Sequence, residues 1–153
     1  MLLDERSMAL TPGIYQKIMK KNFELRVVFF NDEYIAIKIE NNKALDWRTL
    51  NLQKQALHPT KIPHEIEKKC IELMKRLNII FGCFDFIVTP QNEYIFLEVN
   101  EMGQFLWIEE IRPEVKILDK FCEFLIKNDN DKKLQSVNKE PISLHKITPL
   151  FRD

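Results

Sequence analysis

Residues 81–110 read FGCFDFIVTPQNEYIFLEVNEMGQFLWIEE, and the rest of the chain is arranged around them. Two short runs rich in aromatic and β-branched residues, 84–88 and 94–99, flank Thr89-Pro90-Gln91-Asn92-Glu93, in which Pro90 and Asn92 are turn formers. The pattern predicts an antiparallel hairpin. Strict alternation puts Tyr94, Phe96, Glu98 and Asn100 on one side of the second strand and Ile95, Leu97 and Val99 on the other, the latter as the core face. Asp85 on the partner strand is expected within reach of the first set. A carboxylate on an otherwise apolar strand is costly to desolvate unless something compensates it, and a bound cation would do so.

Asp85, Glu98 and the Asn100 carbonyl are hard oxygen donors, the type that holds Mg²⁺ together with substrate phosphates. From the residues alone three readings stand open. Acids at strand ends also occur on solvated sheet edges. Nucleases gather acids from adjacent strands around Mg²⁺, but their acid-acid-lysine arrangement needs a lysine where this chain has Asn100. Glycosidases use carboxylate pairs, although nothing else here resembles a sugar cleft.

Composition narrows the surroundings of this stretch. A chain of 153 residues suits one domain that buries roughly two-thirds of its unfolded surface. Its 23 basic residues balance 23 acidic ones, so no field favours a polyanion, and nucleic acid is not an expected partner. Cys70, Cys83 and Cys122 form no CxxC pair, and His58, His64 and His145 lack ligand spacing, so the thiols read as reduced side chains. The N-terminus, MLLDER, carries acid where a signal peptide carries base, and no apolar run reaches the ~20 residues of a membrane span. A cytoplasmic protein without membrane partners is the expectation.

Taken in order, residues 1–22 read as loop and extended connector around Thr11-Pro12-Gly13. Residues 23–31 and 34–40 form a second hairpin candidate with Asn31-Asp32-Glu33 as its turn, and Glu24, Arg26, Lys38 and Glu40 fall at its polar positions. These polar positions read either as a solvated face or as a cleft in which Arg26 meets phosphate and Glu24 meets hydroxyls. Residues 41–63 read as a long loop carrying Asp46-Trp47-Arg48, with Arg48 facing either Asp46 or an anionic substrate. Residues 64–78 have Ile66, Cys70, Leu73 or Met74 and Leu77 at helical spacing, behind Pro63. After a bend at Met102-Gly103-Gln104, a helix is expected to begin within 105–111, and another to run over 113–127. The sum is an α+β fold, an antiparallel sheet packed against helices with one covered face, followed by a polar tail over 129–153.

The residues now assembled resemble the ATP-grasp superfamily of carboxylate-activating ligases, over most of residues 14–110. Within that span GCFDF and IFLEVNEMGQFLWIEE are similar to the graspetide synthetases, particularly the maturases of grasp-with-spasm systems. Asp85, Glu98-Val99-Asn100 and Gly103-Gln104-Phe105 carry the match; IYQKIMKKNFELRV and Asp46-Trp47-Arg48 add to it more weakly. The resemblance implies that Asp85, Glu98 and Asn100 ligate Mg²⁺ bridging ATP phosphates. It implies that Glu24 takes the ribose-binding position, Gln16 lies on the hinge beside adenine, and Arg26 and Arg48 face phosphates or an acyl phosphate. The implied reaction moves the γ-phosphoryl of ATP to a side-chain carboxylate of a precursor peptide. A hydroxyl or amine then displaces phosphate, giving an ester or amide crosslink.

Departures from the family pattern shape the domain expectation. Its members are much longer, with an N-terminal substrate domain and a nucleotide lid. On that comparison residues 1–22 correspond to the end of the lid and hinge, 23–128 to the ATP-grasp C-terminal subdomain and 129–153 to a tail. A lid-bearing N-terminal half, or another copy in a homo-oligomer, is the expected completing partner; a catalytically silent nucleotide-binding or interaction module is the alternative. Glu101-Met102 stands where many relatives have proline followed by a small polar residue.

Overall fold

A computed structural model describes residues 17–40, 56–129, 141 and 143. Its centre is β1 (Phe23–Phe30), whose last seven residues are all buried, since a strand lies at each edge and a packed cluster on each face. β2 (Glu33–Ile39) pairs with it antiparallel, Phe30 facing Glu33, so the expected three-residue turn is the pair Asn31-Asp32. Asn31 takes a left-handed φ of 57°, a conformation that asparagine tolerates better than most residues. β4 (Phe81–Val88) pairs with the other side of β1, and β5 (Tyr94–Asn100) completes the predicted hairpin with β4. The strand β3 (Leu57–Thr60) adds to β2, giving the five-stranded antiparallel order β3-β2-β1-β4-β5.

β3 corrects the expectation of an unbroken loop over 41–63. Leu57-His58-Pro59-Thr60 is short and carries a proline opposite Ile37, which disguises it in the sequence. Proline is tolerated on an edge strand because one side of that backbone has no ladder to supply.

The expectation of one covered face is also corrected, since helices lie on both. On one side α1 (His64–Leu77) buries Cys70 and Met74 against Leu25, Val27, Phe29, Phe84, Phe86 and Val88. Leu77, expected at the core spacing, is half exposed at the end of that helix, just before the left-handed cap at Asn78. On the other side α2 (Trp107–Ile111) and α3 (Ile117–Lys127) bury Ile108, Ile117 and Phe124 against Val28, Phe30, Ile37, Ile39 and Cys83. The single helix expected over 113–127 is divided: a 3-10 turn at Pro113–Val115 ends at Lys116, whose φ of 52° redirects the chain into α3. Phe30, Phe81, Phe105, Phe121 and Phe124 meet in one ring cluster, with centroids from 5.1 to 6.4 Å apart. Such pairs contribute about 0.5–1.5 kcal/mol each beyond their buried area. The cluster fixes Phe105, and with it the end of the loop that follows β5.

The expected tail meets the fold at one described point. Ser143 is buried, and its hydroxyl donates to Glu109 Oε1 at 3.0 Å. Glu109 is fully buried, and its Oε2 accepts the backbone N–H of Leu118 at 2.9 Å, in the first turn of α3. Among the described residues no helix is long and apolar enough to cross a membrane.

Candidate functional site

Facing pairs in an antiparallel ladder point to the same side of the sheet, so the register reads out which side chains share a face. Arg26 on β1 faces Asp85 on β4, and Asp85 in turn faces Glu98 on β5. One row therefore runs Ile37, Arg26, Asp85, Glu98 across four strands. The next row on the same face runs Ile35, Val28, Cys83, Asn100, and Glu24 lies two residues before Arg26. Asp85, Glu98, Asn100, Arg26 and Glu24 are thus brought to one face, the face of α2 and α3.

How β5 contributes to it differs from strict alternation. Glu98 faces Asp85 while Phe96 faces Phe86, so Leu97 is an extra residue, a β-bulge. The bulge reverses the parity of the strand. Glu98 and Asn100 share their face with Ile95, whereas Tyr94, Phe96 and Val99 turn to the α1 side, where Phe96 meets the rings of Phe84 and Phe86. Tyr94 and Phe96 therefore do not border the acids; with Ile66, Lys69 and Leu73 they line an apolar pocket of about 260 Å³ beneath α1. Lys38 is corrected likewise: it faces Leu25, on the α1 side, and its ammonium lies 5.0 Å from the centre of the Phe23 ring.

The solvated reading of this face fails at its centre. Arg26, Asp85 and Glu24 are only 4%, 6% and 7% exposed. Arg26 Nη1 donates to Asp85 Oδ2 at 2.6 Å, and Lys21 Nζ donates to Glu24 Oε1 at 2.6 Å. The desolvation cost that the sequence reading offset with a cation is met at Asp85 by a guanidinium. Arg26 is accordingly engaged within the protein: Nη2 donates to the Gln104 carbonyl at 2.8 Å, and Nε is buried without a partner among the described residues. Lys21 was not singled out in the sequence, although its spacing of three from Glu24 is the available signal.

The loop after β5 is held by several short contacts. Asn100 Oδ1 accepts the Met102 N–H at 2.9 Å, and its backbone carbonyl accepts the Gly103 N–H at 3.3 Å. The Gln104 carbonyl takes a second donor, Trp107 Nε1, at 3.2 Å. Gly103 cannot be replaced without a shift, since a Cβ there would lie 2.7 Å from Cys83 Cβ and 2.9 Å from Arg26 Nη2. The Cys83 thiol donates to the Gly103 carbonyl at 3.5 Å, and burial pushes it up to about 11. It is a packing group here, not a nucleophile.

The donor set fits a hard divalent cation in chemistry, with two carboxylates and an amide oxygen on neighbouring strand positions. Among the described residues no three His, Cys, Asp or Glu side chains gather into a metal site by themselves, so a cation here would draw on Asn100 and on oxygens from outside the protein. Gln16 and Arg48 lie outside the described residues, as do Asp46 and Trp47.

The class that shares this fold is the ATP-grasp ligases, and the resemblance drawn from the sequence is borne out in solved structures. The macrocyclase MdnC of Microcystis aeruginosa MRC, solved with its precursor peptide MdnA, is 32% identical over 72% of this chain, with a TM-score of 0.60. A RiPP-associated ATP-grasp ligase of Chryseobacterium gregarium, solved with ADP and a leader and core peptide, is 32% identical over 71%, with a TM-score of 0.59. MdnB, a second Microcystis aeruginosa MRC macrocyclase, is 29% identical over 70%, with a TM-score of 0.54. The matches cover 32%, 35% and 39% of those chains, so this chain spans about a third of their length. No family model and no curated protein matches it.

Proposed function

We propose that this chain is the nucleotide- and metal-binding part of an ATP-dependent ligase that activates side-chain carboxylates of a precursor peptide. The observation that carries the reading is the row Arg26, Asp85, Glu98 with Asn100 beside it, on a fold shared with peptide-modifying ATP-grasp ligases. Asp85, Glu98 and Asn100 hold Mg²⁺, which neutralises phosphate charge when bound. Glu24 binds the ribose hydroxyls, and the resemblance assigns Gln16 to adenine and Arg48 to phosphates or the acyl phosphate. Arg26, assigned to phosphate by the resemblance, acts from within the protein through its hold on Asp85. The γ-phosphoryl passes from ATP to the peptide carboxylate, leaving ADP and an acyl phosphate. A peptide hydroxyl or amine then attacks the acyl carbon, loses its proton and expels phosphate, forming an ester or amide. The protein's share of such chemistry is positioning and charge neutralisation.

A second reading, a silent nucleotide-binding module, is favoured by one observation: Asp85 is already neutralised by Arg26. Calorimetric titration of ADP with and without Mg²⁺ tests the shared part. Metal-dependent binding supports both readings, and no binding under either condition removes both. Adding ATP, Mg²⁺, a lid-bearing polypeptide and an acidic Thr- or Lys-containing peptide then separates them. Peptide that loses water, as read by mass, identifies the ligase; intact peptide identifies the silent module.

A further inference from the structure

We infer that Arg26 is a positioning residue that assembles the metal-ligand set by tying Asp85 to the loop that begins at Asn100; this rests on the function proposed above. Three observations converge on it. The two Nη atoms point in different directions, one to the carboxylate of a β4 residue and the other to a backbone carbonyl 78 residues along the chain. A planar guanidinium reaches both acceptors at once, which a single ammonium cannot do in the same geometry. Gly103 supplies the second observation. The absent side chain at this position leaves the passage through which Arg26 Nη2 reaches Gln104, and any Cβ would stand 2.9 Å from that nitrogen. Third, the far end of the same loop is seated by Phe105 in the ring cluster and by Trp107 on the Gln104 carbonyl, while its near end is closed by the Asn100 side chain itself.

The consequence is mechanical. Asn100 ends the bulged strand, and its amide oxygen holds the first turn of the loop that Arg26 grips at Gln104, so the positioning role couples the amide's orientation to where Gln104 is held. Arg26 sets Gln104 and Asp85 against one another, and thereby sets the separation of the acid and amide donors. Groups that orient metal ligands in this way typically alter metal affinity about 10- to 100-fold when removed.

The test is calorimetric titration of ADP, with Mg²⁺ and separately with EDTA, into the full chain and its Arg26→Lys, Gly103→Ala and Trp107→Phe variants. Melting curves establish which variants are folded. Trp107→Phe removes the second donor to Gln104 while keeping an aromatic ring in the same packing position, and so keeps the test available if the others do not fold. The positioning role predicts that each folded variant loses much of the Mg²⁺-dependent gain in ADP affinity, about 10-fold or more for Arg26→Lys and Gly103→Ala and less for Trp107→Phe. Metal-free ADP affinity stays within about twofold of the parent, because a positioning role gives none of the three groups a contact with nucleotide. An equal loss with and without Mg²⁺ in Arg26→Lys overturns the inference in favour of direct phosphate contact. An unchanged Mg²⁺ gain in the folded variants overturns it in favour of a purely structural pair. A parent chain without Mg²⁺-dependent binding removes the proposed function and this inference with it.

Discussion

Asp85 and Glu98 face one another across β4 and β5, two carboxylates in register on the same side of the sheet. Like charges directly opposite repel in a ladder; the Arg26 guanidinium offsets that repulsion at Asp85, and a bound cation would offset it further. Glu98→Gln, which keeps the shape of the side chain and an amide oxygen in place of the carboxylate, should therefore change the stability of the metal-free protein by no more than about 1 kcal/mol. The same substitution should abolish the stabilisation conferred by Mg²⁺ with ADP, which for a binding-competent chain is about 2.7 kcal/mol at a ligand concentration 100-fold above Kd. Melting curves with and without Mg²⁺·ADP check both parts. A Glu98→Gln protein still stabilised like its parent would remove Glu98 from the ligand set.

Arg26 is the other partner of Asp85, and its loss should be felt by the fold. Removing one member of a buried ion pair strands the other, at about 3–5 kcal/mol, whereas replacing both with apolar residues is often neutral. Arg26→Ala should thus destabilise by that amount in urea denaturation, and Arg26→Met with Asp85→Leu should recover most of it. A loss below about 1 kcal/mol in Arg26→Ala would mean that the pair is solvated and not buried.

Much of this arrangement was legible in the sequence. Alternation and turn residues disclosed both hairpins, and Asp85, Glu98 and Asn100, named as oxygen-bearing side chains in the sequence, do share one face of the sheet. The face of β5 was not legible, because a bulge at Leu97 leaves no mark on a run as uniform as YIFLEVN. Nor was β3, since Pro59 contradicts a strand unless its edge position is known. Two-sided burial of the sheet was obscured for a similar reason. β1 alternates between two cores, so Leu25, Val27 and Phe29 face α1 while Val28 and Phe30 face α2 and α3. The compensation of Asp85 by Arg26 depends on register between strands separated by 59 positions, which no local pattern encodes.

The cysteines predict a pH response. Burial pushes the Cys70 thiol up to about 12 and Cys83 to about 11, from about 9 when unfolded. Above pH 9 the unfolded chain binds fewer protons than the native one, so stability falls as pH rises, until the native thiols ionise as well. Stability should be level in these terms below pH 9 and decline above it, by at most about 1.4 kcal/mol per pH unit for each thiol. Replacing Cys70 with alanine should remove its share of the slope, a comparison available from urea denaturation between pH 8 and 10.5. At pH 8 iodoacetamide should label Cys122, which is only partly buried, ahead of Cys70 and Cys83.

Glu109 leads to the last prediction because it joins three parts of the chain through one carboxylate. It is fully buried, it caps α3 through the Leu118 N–H, and it accepts the hydroxyl of Ser143. A buried carboxylate that loses a donor keeps its desolvation cost without the hydrogen bond that offset it. Ser143→Ala should therefore cost about 1–3 kcal/mol, more than a neutral hydrogen bond at the surface. Glu109→Ala removes the charge together with the cap and leaves Leu118 N–H and Ser143 Oγ needing new partners, so it should cost at least as much. The two losses should not add, because both variants break the same bond. In the double variant the cost should lie close to that of Glu109→Ala alone, as measured by urea denaturation. Strict additivity would show that Ser143 and Glu109 stabilise the chain independently of one another.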